Sequence, residues 1–254
     1  MKHAVKPLQL ELPPGRSWGG RRKGAGRKRN PKSGVPHRAR PVHNAAHPVH
    51  ATLRTRDDVH GLRAARVFEL LVRSIKEASR TEFRIVQFSV QHDHIHLIVE
   101  ACDKVSLSRG MRGLSIRLAR AINRALVRRG SVWKERYHAH ALKQPREVRN
   151  ALLYVLMNHR KHGASPAWLD PRSSAAWFDG WRKDALFEHA LRDLARLTDL
   201  APPVQPARTW LAREGWRRHR LLGIDEGPGL PHPSSTPAPP GRTRTSRRLL
   251  HEGE

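Results

Sequence analysis

The sequence predicts an α+β fold: a ferredoxin-like (RRM-like) βαββαβ antiparallel sheet followed by one added helix. Three observations carry this. The spacing of apolar residues alternates between the period of a strand and that of a helix, in the order strand–helix–strand–strand–helix–strand. The two ends of the chain, residues 1–46 and 226–254, are basic or Pro-rich and lack the apolar content of a core. The chain, at 254 residues and 38% hydrophobic, is long enough for one or two domains with a sizeable core.

The first strand is expected over residues 48–55 (PVHATLRT), which alternate in polarity. A helix follows over 61–80, where Ala64, Val67, Phe68, Leu71, Ile75 and Ala78 recur at steps of three and four. Residues 83–90 (FRIVQFSV) are rich in β-branched and aromatic side chains and read as a second strand. After a polar break at Gln91–Asp93, residues 94–101 (HIHLIVEA) form a third strand, antiparallel to the second. A long helix over 106–129 places Leu107, Met111, Leu114, Leu118, Ile122 and Leu126 on one face. Its other side carries Arg109, Arg112, Arg117, Arg120, Arg124 and Arg128. So many like charges on one helix call for a polyanion to neutralise them. Residues 132–142 read as the fourth strand, and Pro145 opens a third helix reaching about residue 162. With two helices on one face of the sheet, the other face is expected to stay open for a ligand.

Charge narrows the function. The chain has 49 Lys and Arg against 22 Asp and Glu, a formal net charge of +27. Residues 1–46 hold 12 basic residues and one acid, residues 47–163 hold 23 against 10, and residues 164–254 hold 14 against 11. The excess therefore belongs to an N-terminal arm and the central block, which points to nucleic acid. No apolar run approaches the ~18 residues of a membrane span, and no secretory signal is expected. The single Cys102 excludes a disulfide framework and a Cys-rich zinc module. A cytoplasmic, nucleoid-associated protein fits. The expected organisation is a disordered basic arm (1–46), a single α+β domain (47–163), a Trp-rich helical extension packed back onto it (164–225) and a Pro/Arg-rich disordered tail (226–254). Within the arm, Arg27, Lys28 and Arg29 are candidate phosphate contacts.

The chemistry-bearing residues lie in two places. His94 and His96 are two apart on a strand, so both rings project from one face as a candidate divalent-metal pair. His92 shares their parity but lies in the break, and His138-Ala-His140 shows that such pairs also arise by chance in a chain with 17 His. On the third helix Tyr154 and Asn158 are four apart and would share a face: a phenol nucleophile beside an amide oxygen that can ligate a hard cation. Seen alone, that pair better suits a half-buried aromatic and a helix-end amide. The only other tyrosine is Tyr137, expected on a strand and to pack or stack.

The run from Phe88 through His94-Ile-His96 to Val99 resembles the HUH motif (His, bulky hydrophobe, His) of single-tyrosine transposases. Gly130-Ser-Val-Trp-Lys-Glu-Arg-Tyr137-His resembles that family's fourth strand, and Tyr154-Val-Leu-Met-Asn158 its catalytic helix. The resemblance spans residues 48–163 and is closest to the REP-associated tyrosine transposases (RAYT). It departs at Asp93, where the family commonly has Asn, and at His159, where it commonly has Pro. The resemblance implies Tyr154 as nucleophile, with His94, His96 and Asn158 as ligands of Mg²⁺ or Mn²⁺. It further implies a 5′-phosphotyrosine intermediate, single-stranded or hairpin DNA as substrate, and a monomer or homodimer. Arg112, Arg117, Arg120, Arg124 and Arg128, with the basic arm, would grip the DNA. Two rivals use the same residues. A domesticated, non-catalytic nucleic-acid-binding module would rely on Phe88 and Trp133. A zinc hydrolase would use His92, His94 and His96 and need a nearby carboxylate base, with Asp93 expected on the wrong face.

Overall fold

A computed structural model of the chain describes residues 41–162, 169–192, 194 and 200–227. The basic arm with Arg27, Lys28 and Arg29, Trp168 and the Pro/Arg-rich tail beyond residue 227 lie outside the described residues. The central element order is β1 (Val49–Arg54), α1 (Ala65–Ala78), β2 (Phe83–Val90), β3 (His94–Ala101), α2 (Lys104–Ala125), β4 (His138–Ala141) and α3 (Pro145–Leu156). The four strands form one antiparallel sheet in the order β2-β3-β1-β4, as the ferredoxin-like expectation requires.

Local sequence sets the element boundaries. The Asp103 carboxylate accepts the Ser106 amide at 2.7 Å and starts α2. Pro145 begins α3, where Gln144 and Glu147 form a reciprocal capping box. Two expected lengths need correction. The fourth strand is four residues, His138–Ala141, and its anticipated start is reduced to a single bridge between Trp133 and Thr55. There the chain bends, with Lys134 holding Asp57 at 2.7 Å. The third helix stops at Leu156, and Asn158–His162 continues as a tighter 3-10 turn. Asn and His are weak helix formers whose side chains compete for backbone groups, and such tightening is common at helix ends.

The sheet has a core on each side. Leu97, Val99, Ile95, Ala51 and Leu53 face α1 and α2, joined by Leu71, Ile75, Met111, Leu114 and Leu118. Gly110 of α2 lies directly over the Phe83 ring, where a Cβ would come within 2.1 Å of a ring carbon. On the opposite face, Val86 and Ile98 pack with α3 and with Phe178, Trp181, Trp216 and Leu222. This corrects the expectation of an open second face. All eight residues of β2 are buried, because α3 and the C-terminal segment cover that half of the sheet.

Short elements in this segment are α4 (Ala185–Arg192), α5 (Trp210–Arg213) and the 3-10 turns Ala175–Trp177 and Gly215–His219. They are pinned by polar bonds as well as by their aromatics. Ser174 Oγ accepts the Phe88 amide at 2.9 Å, and the Ser174 amide donates to the Phe88 carbonyl at 2.9 Å. Arg63 grips the buried Asp170 with two bonds of 2.7 and 2.9 Å, and Glu100 accepts from the Arg208 and Thr209 amides. What remains accessible is the β1–β4 half, where Arg54, His138 and His140 are exposed. No helix among the described residues is long and apolar enough to cross a membrane.

Candidate active site

The uncovered half of the sheet holds the histidines. Register places Thr52 opposite His96, Arg54 opposite His94 and His140 opposite His50, so these side chains share the face that carries α3. His96 is 4% exposed. Its Nδ1 is hydrogen-bonded to the Thr52 hydroxyl at 3.0 Å and lies 3.3 Å from His50 Nε2. His94 Nδ1 bonds the Asp93 carboxylate at 2.6 Å, and Arg54 donates to the other oxygen of Asp93 at 3.1 Å. Partial burial opposes ionisation of Asp93, but His94 and Arg54 outweigh it and hold its carboxyl below the usual range. Asp93 thus reaches the histidine site, contrary to the wrong-face expectation. His92 does not join: it stacks on His60 with ring centroids 6.0 Å apart.

Tyr154 comes down from α3 onto these rings. It meets His96 edge-on with centroids 5.0 Å apart and His50 at 5.6 Å, while His94 and His96 are 4.7 Å apart. The sheet side of α3 supplies Val148, Ala151, Leu152 and Val155 to the core, which aims the half-buried Tyr154 at β3. Tyr137 packs with the α1/α2 core on the other side of the sheet. Asn158 lies in the 3-10 turn that follows α3. It is 2% exposed, and its Nδ2 is buried with no hydrogen-bond partner among the described residues.

His50 escaped the sequence reading. It touches both His96 and Tyr154, and burial, followed by the charges of His138 and His140, lowers its pKa to about 4. It is therefore a neutral imidazole at neutral pH, able to accept or donate one hydrogen bond. The available signal was its parity with Thr52 on the first strand, legible only once β1 is known to sit beside β3. The His138-Ala-His140 run, which looked accidental, rims the same face.

The donor set suits a divalent cation. Metal-binding imidazoles characteristically have their second nitrogen held by an acceptor, the arrangement Asp93 gives His94 and Thr52 gives His96. Among the described residues no three His, Cys, Asp or Glu side chains are grouped to hold a metal, so an ion here draws on two imidazoles and an oxygen donor such as the buried Asn158 amide.

The arginines lie elsewhere. Arg112, Arg117, Arg120 and Arg124 are exposed on α2, in the layer on the far side of the sheet from Tyr154. Arg117 approaches Glu77 at 3.7 Å. Arg128 is tied to Asn123 at 2.9 Å and Asp58 at 3.1 Å, as a structural bond at the helix end. The α2 stripe and the tyrosine site are not one surface.

Residues 46–156 match the sequence model of the family described as "Transposase IS200 like". Over these residues, which make up under half of the chain, the protein is similar to that family. The match runs from the residues before β1 to the last residue of α3, so β1, β3 and Tyr154 all fall within it. Among solved structures, a REP-associated tyrosine transposase bound to a REP hairpin is similar, with 20% identity and a TM-score of 0.46 over 69% of this chain and 93% of that one. No curated protein sequence matches the chain.

Proposed function

We propose that this protein nicks and rejoins single-stranded, hairpin-bearing DNA through a 5′-phosphotyrosine at Tyr154, as a REP-associated tyrosine transposase in the cytoplasm at the nucleoid. The observation that carries the reading is Tyr154 held edge-on to His96 at 5.0 Å, beside His94 and His50. Tyr154 Oη attacks the scissile phosphorus, the bond to the 3′-oxygen breaks, and that oxygen leaves as a 3′-hydroxyl after taking up a proton. The phosphodiester energy is retained in the tyrosyl ester, so rejoining needs no nucleotide cofactor. Phenols are weak nucleophiles near neutral pH, and the neutral His50 ring lies beside that of Tyr154, 5.6 Å between centroids. His94, His96 and Asn158 would hold Mg²⁺ or Mn²⁺, which supplies Lewis-acid polarisation of the phosphate. Asp93 and Thr52 keep the two imidazoles turned toward that position. Tyr137 packs with the other core, which leaves Tyr154 as the tyrosine within reach of the histidines.

The test is incubation of the full chain with labelled hairpin-bearing single strands and Mg²⁺ or Mn²⁺. A denaturation-resistant adduct is expected, absent in Tyr154→Phe and strongly reduced in His96→Ala. An adduct that survives Tyr154→Phe, or that is indifferent to EDTA, overturns the assignment. Tight binding with no adduct on any hairpin would favour a non-catalytic binding module.

A further inference from the structure

We infer that Arg80, Arg84 and Arg208 form a phosphate-binding site whose ligand is a DNA backbone phosphate remote from the one attacked by Tyr154; the DNA part of this assignment rests on the function proposed above. The three guanidinium groups line one cavity of about 290 Å³ with Ser79, Thr81 and Gln205, and no carboxylate lines it. Arg84 is 9% exposed, and one of its nitrogens donates to the Pro206 carbonyl at 2.9 Å. Arg208 donates to the Thr81 carbonyl at 3.2 Å. Arg80 donates to the carbonyls of Glu77 and Ser79 at 2.7 and 2.8 Å. Carbonyl acceptors fix the direction of each guanidinium and leave its charge uncompensated.

Two acids stand close by: Glu82 and Glu100 line an adjoining cavity with Arg84 and Arg208. Glu100, opposite Arg84 in the β2–β3 ladder, commits its oxygens to the amides of Arg208 and Thr209 and to the Thr209 hydroxyl. Burial first, then the Arg208 charge, lowers the pKa of Arg84, with Glu100 acting in the opposite sense. Cations gathered in a partly desolvated pocket are an unfavourable arrangement that a multivalent oxyanion relieves, since guanidinium and phosphate match in charge and donor geometry.

The location favours a DNA phosphate. Arg84 and Glu100 face the same side of the sheet as His94 and His96, and Glu100 lies four residues along β3 from His96, about 13 Å. That spacing suits a strand whose scissile phosphate sits at Tyr154. Arg80 also lines a second cavity with Glu82 and with Arg109 and Arg117 of α2.

The experiment titrates labelled single-stranded and hairpin DNA with the full chain over a salt series, without divalent cation. It compares wild type with Arg80→Ala, Arg208→Ala, Arg84→Gln and, as a charge-matched control outside the pocket, Arg66→Ala on α1. Arg66, Arg80 and Arg208 are exposed, so their variants should keep the wild-type melting temperature even if Arg84→Gln does not fold. The expected result is roughly tenfold weaker binding and a salt slope reduced by about one in Arg80→Ala or Arg208→Ala, a smaller change in Arg66→Ala, and partial recovery in Arg208→Lys. An unchanged slope, or an equal loss in Arg66→Ala, overturns the site. Inorganic phosphate bound by wild type and lost in Arg208→Ala, with DNA binding unaffected, would assign the pocket to a free anion and overturn the DNA assignment. Because binding is read without catalysis, failure to form a tyrosyl adduct would count against the proposed function and not against the pocket.

Discussion

His50 shows what a single residue contributes and what sequence alone conceals. Its folded pKa of about 4 lies below the ordinary 6.5. As the pH falls below 6.5 the unfolded chain takes up the proton first, so stability rises with pH between about 4 and 6.5. Neutral His50 therefore contributes fully above pH 6.5, and the contribution is lost as the pH falls through 4, a swing of about 3 kcal/mol. NMR titration of the metal-free protein should show one histidine ring with a midpoint near 4. His50→Ala should flatten the acid limb of the stability profile, and a variant whose profile matches wild type would contradict the assigned burial. His94 and His96 were legible because parity along one strand is a property of neighbours in sequence. His50 was not, because its relation to His96 and Tyr154 depends on strand pairing across 46 residues.

At the scale of elements, the end of α2 carries a cost that sequence patterning does not reveal. Val127 sits at φ +50°, just past the helix, with its amide bonded to the Arg124 carbonyl and the Arg128 amide to the Asn123 carbonyl. This is the reverse-turn cap that glycine normally occupies, here with a β-branched side chain in the left-handed region. Val127 is 87% exposed, so its side chain contributes little packing. Val127→Gly should stabilise the protein by about 1 kcal/mol, read as a shifted denaturation midpoint at unchanged slope; destabilisation would mean that the side chain has a role the cap geometry does not show. Element identity was legible through periodicity: β2 and β3 lie where the sequence places them. Element ends were less so. The fourth strand shrank because Lys134 turns toward Asp57, and the third helix stopped before Asn158. Both outcomes depend on partners far along the chain or on side-chain competition with the backbone.

On the scale of the whole molecule, α3 and the C-terminal segment cover the β2 half of one sheet face and, among the described residues, leave the β1–β4 half accessible. Five of seven tryptophans fall after residue 163, which signals packing, but composition cannot say which face they cover. The structure places Trp181 and Trp216 against α3, the helix that carries Tyr154. Arg149 of α3 is locked by Glu226 through bonds of 2.8 and 2.9 Å, with the side chains only 7% and 5% exposed, and it also donates to the Arg220 and Leu221 carbonyls. Arg160 reaches the Glu226 and Ile224 carbonyls from the turn that follows α3. Residues 220–226 therefore act as a strap that sets α3 on the sheet. Removing one partner of such a pair leaves a buried charge uncompensated, so Glu226→Ala should destabilise by about 3–5 kcal/mol. The double variant Arg149→Met/Glu226→Leu, which removes both charges and keeps apolar volume, should recover much of that loss. If the strap positions the nucleophile, adduct yield at saturating DNA should fall in Glu226→Ala, at temperatures where the protein remains folded, and recover with the double variant. Wild-type stability in Glu226→Ala would show that the strap does not hold α3. A stability loss with undiminished adduct would confine it to folding and leave the aim of Tyr154 to the contacts of α3 with β2 and β3.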